Sequence, residues 1–215
     1  VLSCLAFALL ADMASAASWP EVSLPQGTQT TDVAKRIVFN GLDMRAEVFA
    51  TAKSPADVVA FYKDLWKGQV VVNPSGEGQV IGHKQGDYYI TVQVSRSGAG
   101  SKGNIGIVDV ESAPHDFKRG KGLPRPMGST VFNDIGYPDD PTPARTVAMR
   151  NRLSPQQNAT YFRERLGADG WKPADANQCS GDACVLRYER GESKMTLVMT
   201  PLAGQSQVTI NLLNP

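Results

Sequence analysis

The sequence predicts an α+β protein made of two tandem repeats of a strand-strand-helix-strand-strand-strand unit, each an antiparallel sheet with one helix packed on a face. Three observations carry this. Landmarks recur about 100 residues apart, two Ser-Pro helix starts stand among strand-like segments, and those segments are separated by Gly-containing turns. Leu24-Pro25 returns as Leu123-Pro124, Ser54-Pro55 as Ser154-Pro155, and Phe61-Tyr62 as Tyr161-Phe162. Gly86-Asp87 answers to Gly191-Glu192, and Ile90-Thr91-Val92 to Met195-Thr196-Leu197, at a slightly larger offset. The drift falls between helix and following strands, where insertions are tolerated because loops lie at the surface.

In the first copy, residues 36–41 and 44–52 read as strands, with Gly41-Leu42-Asp43 supplying the turn. Ser54 is a helix N-cap, Pro55 fits N1 because its missing N–H is not needed there, and Asp57 at N3 completes a capping pattern. Val58, Phe61, Tyr62, Leu65 and Trp66 follow at helical spacing until Gly68. Further strands are expected at 78–83, 88–95 and 104–110. The second copy repeats the plan. Its strands are expected at 129–135 and 145–152, with Ser154, Pro155 and Gln157 opening a helix that Gly167 ends. Three more follow at 184–189, 194–200 and 207–213.

The domain plan has five parts. Residues 1–16 form a signal-peptide remnant, since the apolar run Val1–Leu10 leads to Ala14-Ser15-Ala16, the pattern of a secretory cleavage site. Residues 17–35 are a lead segment, 36–111 the first repeat, 112–127 a basic Gly/Pro linker and 128–215 the second repeat. Cleavage removes Cys4 and leaves Cys179 and Cys184, spaced by Ser-Gly-Asp-Ala. Zinc needs two further ligands, and a thioredoxin-like pair has a spacer of two. A disulfide in an oxidising compartment is therefore the expectation, and the localisation read from it is periplasmic or secreted.

Composition bounds the function. With 22 Lys+Arg against 21 Asp+Glu the net charge is +1, too small a field to imply nucleic acid. Gly98-Ala-Gly100-Ser-Lys-Gly103 spells G-x-G-x-x-G, but a strand pattern follows where a dinucleotide site needs a helix, so a flexible hairpin loop is expected. Asp134, Asp139 and Asp140 flank a Pro-rich loop without the regular ligand spacing of a calcium loop. A rigid exposed turn is expected there. His83 at a strand end and His115 in the linker are not placed beside a nucleophile, and no G-x-S-x-G elbow is present. Asn158-Ala-Thr160 is a glycosylation sequon inside an expected helix, which argues against its use. No cofactor or catalytic residue is assigned.

Lys118, Arg119, Lys121 and Arg125 stand around a single acid, Asp116. They are the candidate contacts to a partner or an anionic surface, including peripheral membrane contact. The reading that follows is a non-catalytic envelope or secreted protein of duplicated modules that binds a protein partner or serves in an assembly. The alternatives are a small-ligand or lipid carrier using the groove between repeats, and a secreted hydrolase whose site forms only in space.

Overall fold

The computed structural model describes residues 19–174 and 177–215, so the expected signal remnant lies outside the described residues. The chain is α+β: one large antiparallel sheet and two helices. The first half contributes β1 (Gln29–Asp32), β2 (Ile37–Phe39), β3 (Leu42–Thr51), α1 (Pro55–Leu65), β4 (Val71–Ser75), β5 (Gly78–Gln85), β6 (Tyr88–Ser97) and β7 (Gly100–Asp109). The second contributes β8 (Thr130–Tyr137), β9 (Ala144–Asn151), α2 (Pro155–Ala168), β10 (Lys172–Pro173), β11 (Gln178–Ser180), β12 (Ala183–Arg190), β13 (Ser193–Leu202) and β14 (Gln205–Leu213).

The sheet runs β10-β12-β13-β14-β9-β8-β2-β3-β7-β6-β5-β4, with β1 beside β3 and β11 beside β12. Where the sequence suggests two separate sheets, backbone pairing joins them. Val38 faces Gly136 and Phe39 faces Ile135, so β2 and β8 make the sheet continuous. Unpaired edges at the middle of the chain would be costly to leave bare, and pairing them satisfies both. The outermost strands, β4 and β10, carry Pro74 and Pro173, which withhold a donor from any further strand.

Both helix starts form as expected. Ser54 and Ser154 each accept the N3 amide, and Asp57 and Gln157 each return a bond to the N-cap N–H. These bonds to Ser54 hold the Asp57 carboxyl below the usual carboxylate range. Gly167 does not end α2. The helix runs to Ala168 and stops at Gly170, whose φ is +79°.

Each helix covers its own core. Val58, Val59 and Tyr62 of α1 pack on Ile81, Ile90, Val92 and Ile105. Ala159, Phe162 and Leu166 of α2 pack on Val147, Leu186, Leu197 and Ile210. Leu24 of the lead segment lies against the first core and Leu123 against the second. The lead segment also carries β1 and sets Trp19 on Tyr88, ring centroids 5.2 Å apart.

Register shows that both helices lie on one face. Side chains alternate along a strand, and directly opposed residues share a face. Val38 opposes Asp43, which sits on the face of Arg45 and the buried Phe49, while Gly136 opposes Arg145, on the face of the buried Val147 and Met149. Val38 and Gly136 oppose each other, so the two helix-bearing faces are the same face. The opposite face carries no helix. Across it Tyr89, Val108, Met44 and Ile37 stand in register on four adjoining strands. Phe39 and Ile135 continue the apolar centre over the junction, and Thr146, Asn211, Thr196 and Arg187 extend the row as polar groups.

Three elements differ from expectation. The first hairpin turns at Asn40-Gly41, with φ of +53° and +88°, rather than at Gly41-Leu42-Asp43. This Asn-Gly pair matches the twist of a two-residue hairpin. Gly98 and Ala99 alone make the β6–β7 turn, and Gly100–Gly103 already belong to β7. Their place in the strand is enforced by contact, because a Cβ at Gly103 would strike the Gln93 carbonyl. The short edge strands β4 and β10, and β1 and β11, were not expected, since each lacks alternating apolar residues.

Candidate functional site

The largely exposed linker residues 112–127 are tied to the rest of the fold at a few points. They form a strap tied down on the helix-bearing side of the β2–β8 junction. The tie is Asp134 of β8, which the sequence places in an exposed turn but whose side chain is only 5% exposed. Arg145 of β9 binds it in two places, Nε to Oδ1 at 2.8 Å and Nη2 to Oδ2 at 2.7 Å. The strap closes on this pair from above: the Gly120 N–H donates to Asp134 Oδ2 at 2.7 Å, and Arg145 Nη1 donates to the Lys121 carbonyl at 3.0 Å. Burial by itself would raise the Asp134 carboxyl. The Arg145 guanidinium, the Gly120 amide and the Arg119 charge outweigh it and hold the group below the carboxylate range.

Three contacts seat the strap. Phe117 lies over the Asn40-Gly41 turn so closely that a Cβ on Gly41 would come within 2.5 Å of its ring. Tyr161 of α2 donates its hydroxyl to the Arg125 carbonyl at 2.8 Å, and Leu123 packs on the second core. Asn40 adds its own bonds, its N–H to the Asp134 carbonyl and its side-chain oxygen to the Asp134 N–H. The strap backbone is therefore fixed while its cationic side chains face outward.

Lys118, Arg119 and Arg125 line an open depression of about 640 Å³, together with Ser129 and Thr130. Lys118 and Lys121 line a second of about 310 Å³ beside Arg145 and Asp116. The four basic residues named from sequence thus lie along the two sides of one strap. Arg145 belongs with them in space but not in function, because Asp134 already holds it. Thr130 is shared with a third depression, of about 660 Å³, which brings in Arg150 and Arg152. Sequence reading placed those two arginines only at a strand end, and no linear pattern links them to the strap.

No family model, curated protein or solved structure matches this chain. The chemistry must be read from the residues themselves. His83 lies inside β5 rather than at its end, stacked on Trp66 at 4.5 Å between ring centroids. Its Nδ1 lies 2.7 Å from the Gln69 carbonyl, so Nδ1 carries the hydrogen. That is the environment of a packed histidine. His115 lies in the strap, and Asp139 and Asp140 stay in the exposed β8–β9 loop, separated from Asp134. Among the described residues, no group of three His, Cys, Asp or Glu could hold a metal ion. No helix there is long and apolar enough to cross a membrane.

Cys179 and Cys184 are bonded across the β11–β12 hairpin, where they are direct cross-strand partners. Cys184 is buried in the second core and Cys179 is exposed, so the bridge pins the hairpin to the sheet. Asn158 of the sequon is fully buried and exchanges hydrogen bonds with Asn151. In the folded chain that amide is closed to modification.

Proposed function

We propose that this chain is an exported, non-catalytic protein of two duplicated modules that binds a protein partner in an envelope or secreted assembly. The observation that carries the reading is the helix-free face of the sheet. Twelve strands at about 4.8 Å spacing make a platform roughly 50 Å across. Antiparallel sheets can leave such a face to water. This one, however, places Tyr89, Val108, Met44, Phe39 and Ile135 near its centre beside the buried Ile37, with polar neighbours that include Lys84 opposite Tyr89 and Thr146 opposite Ile135. An apolar centre with a hydrogen-bonding rim is the anatomy of a protein interface.

Duplication is supported by pairs of matched details. Ser101 Oγ donates to the Lys53 carbonyl and Ser206 Oγ to the Leu153 carbonyl, both at 2.6 Å. Thr51 accepts from the Lys53 N–H as Asn151 accepts from the Leu153 N–H. The strand order reads alike outward in both directions from the β2–β8 pair. The Cys179–Cys184 bond is compatible with an oxidising compartment, which supports export. For a carrier, the groove between halves would have to be a cavity. The junction is instead bridged by strand pairing and covered by the strap.

The experiment is site-specific photocrosslinking in intact cells. A photoreactive residue at Tyr89 or Val48, on the open face, is expected to trap one protein reproducibly. The same probe at Glu164, on the exposed side of α2, serves as the control. Equal or absent trapping from both faces would refute the proposal and return attention to the carrier and hydrolase readings.

A further inference from the structure

We propose that the end of the second half bearing the strap's exit, at the rim of the helix-free face, is a docking surface for an anionic membrane. Pro126-Met127-Gly128-Ser129 is a tight turn, closed by the Ser129 N–H on the Pro126 carbonyl at 3.2 Å. Gly128, at φ +77°, takes the position that disfavours a side chain. Met127 at its tip is 99% exposed, the extreme among the large apolar residues of the described chain. The turn is held in place, since Tyr161 fixes the Arg125 carbonyl and Asn151 donates to the Ser129 hydroxyl at 3.1 Å. One exposed apolar side chain is ordinary by itself, but a fixed one set among cations and beside a second apolar tip is fitted for something to cover it.

What surrounds it says what does. Arg150 and Arg152 line the depression that Met127 borders, and Lys118, Arg119 and Arg125 line the neighbouring one, joined to it at Thr130. Neither depression has an Asp or Glu in its lining, in a chain whose charges otherwise nearly balance. At the same end the β13–β14 turn brings Leu202, 44% exposed, opposite Gln205. Apolar tips flanked by cations suit the boundary between acyl chains and phosphate headgroups, where the tips enter and the cations stay at the surface. An acidic protein segment would use the cations but would not require Met127 to stand clear of them. A contact made by such tips and cations is peripheral and reversible.

The test is cosedimentation of the purified chain with vesicles. One set is phosphatidylcholine alone, the other carries about one-third phosphatidylglycerol, enough for a negative surface potential. Binding is expected only to the anionic set and is expected to weaken as salt rises. Each basic side chain at such a surface contributes about fivefold in affinity, so Arg150→Gln with Arg152→Gln should weaken binding about 25-fold. Met127→Ser should weaken it severalfold without changing the salt dependence. Arg187→Gln, on the open sheet face, should leave it unchanged. All these side chains are exposed or half-exposed, and matched melting curves establish that the variants fold. Binding to poly-glutamate but not to anionic vesicles would overturn the proposal in favour of an acidic protein ligand. Vesicle binding that survives the double arginine variant would overturn the site.

Discussion

Replacing Tyr62 with phenylalanine should make the protein more stable. Tyr62 is completely buried on α1, edge-on to Phe61 and stacked on Trp66 at 4.8 Å. Its hydroxyl has no hydrogen-bond partner among the described residues. Burial, with the Glu47 charge adding to it, pushes the phenol well above its ordinary pKa, so the group stays neutral and unpaired at any working pH. The second half holds Phe162 at the corresponding place, also fully buried and edge-on to its neighbour Tyr161. A phenylalanine ring therefore suits this kind of site.

An unsatisfied buried hydroxyl costs about 1–3 kcal/mol. Removing it leaves a void of about 10 Å³, worth only about 0.2 kcal/mol at the measured cavity coefficient. The net expectation for Tyr62→Phe is a gain of about 1–2 kcal/mol. For a chain of this size that is a rise of about 3–6 °C in Tm. Equilibrium urea unfolding followed by tryptophan fluorescence measures it, with Trp66 reporting on the substituted core. Phe162→Tyr in the second half supplies the mirror experiment and should lose a similar amount. If Tyr62→Phe loses stability instead, the hydroxyl is satisfied and the account of this core is wrong.

Asp134→Asn should destabilise by about 3 kcal/mol, the low end for a broken buried pair, because the Arg145 side chain keeps 24% exposure. Hydrogen exchange should show the Gly120 amide losing protection in that variant while the α2 amides keep theirs. The same amide reports on pH. The folded-state pKa of Asp134 is depressed, so its stabilisation is full above about pH 5 and declines as pH falls through and below about 4. Gly120 protection that is the same in Asp134→Asn as in the parent chain would contradict the assigned tie. Gly41→Ala should unseat Phe117 and strain a φ of +88°, costing more than about 1 kcal/mol. Calorimetry decides that, and an unchanged Tm would mean the strap is not seated there. The Cys179–Cys184 bond closes only a short loop, so reducing it should cost about 2 kcal/mol without unfolding the chain. Circular dichroism with and without reductant checks this.

Much of the local structure was legible because it is written locally. Ser54-Pro55-Ala56-Asp57 and Ser154-Pro155-Gln156-Gln157 contain the whole capping box within four residues, so both helix starts follow from sequence. Alternating strands such as Tyr88–Ser97 and Ser193–Leu202 announce their buried faces by period. Edge strands β4 and β10 were illegible because they have one neighbour and bury little, which leaves no pattern. The Asn40-Gly41 turn does carry a signal, the strongest short hairpin pair, one residue before the Gly41-Leu42-Asp43 turn that composition suggests.

By itself, then, the sequence determines an α+β chain with two Ser-Pro helices, a cysteine pair with a four-residue spacer fit for a disulfide, and a basic stretch between its halves. Those are properties of neighbouring residues, whose hydrogen bonds and spacing do not depend on the rest of the chain. Only the tertiary structure decides that the two sheets become one, that both helices share a face, and that the basic stretch is a docked strap. Each of these rests on partners far apart in sequence: Val38 with Gly136, Asp134 with Gly120 and Arg145, Gly41 with Phe117. Strand edges and buried charges demand a partner but do not name it, and only the folded backbone brings the right one within reach.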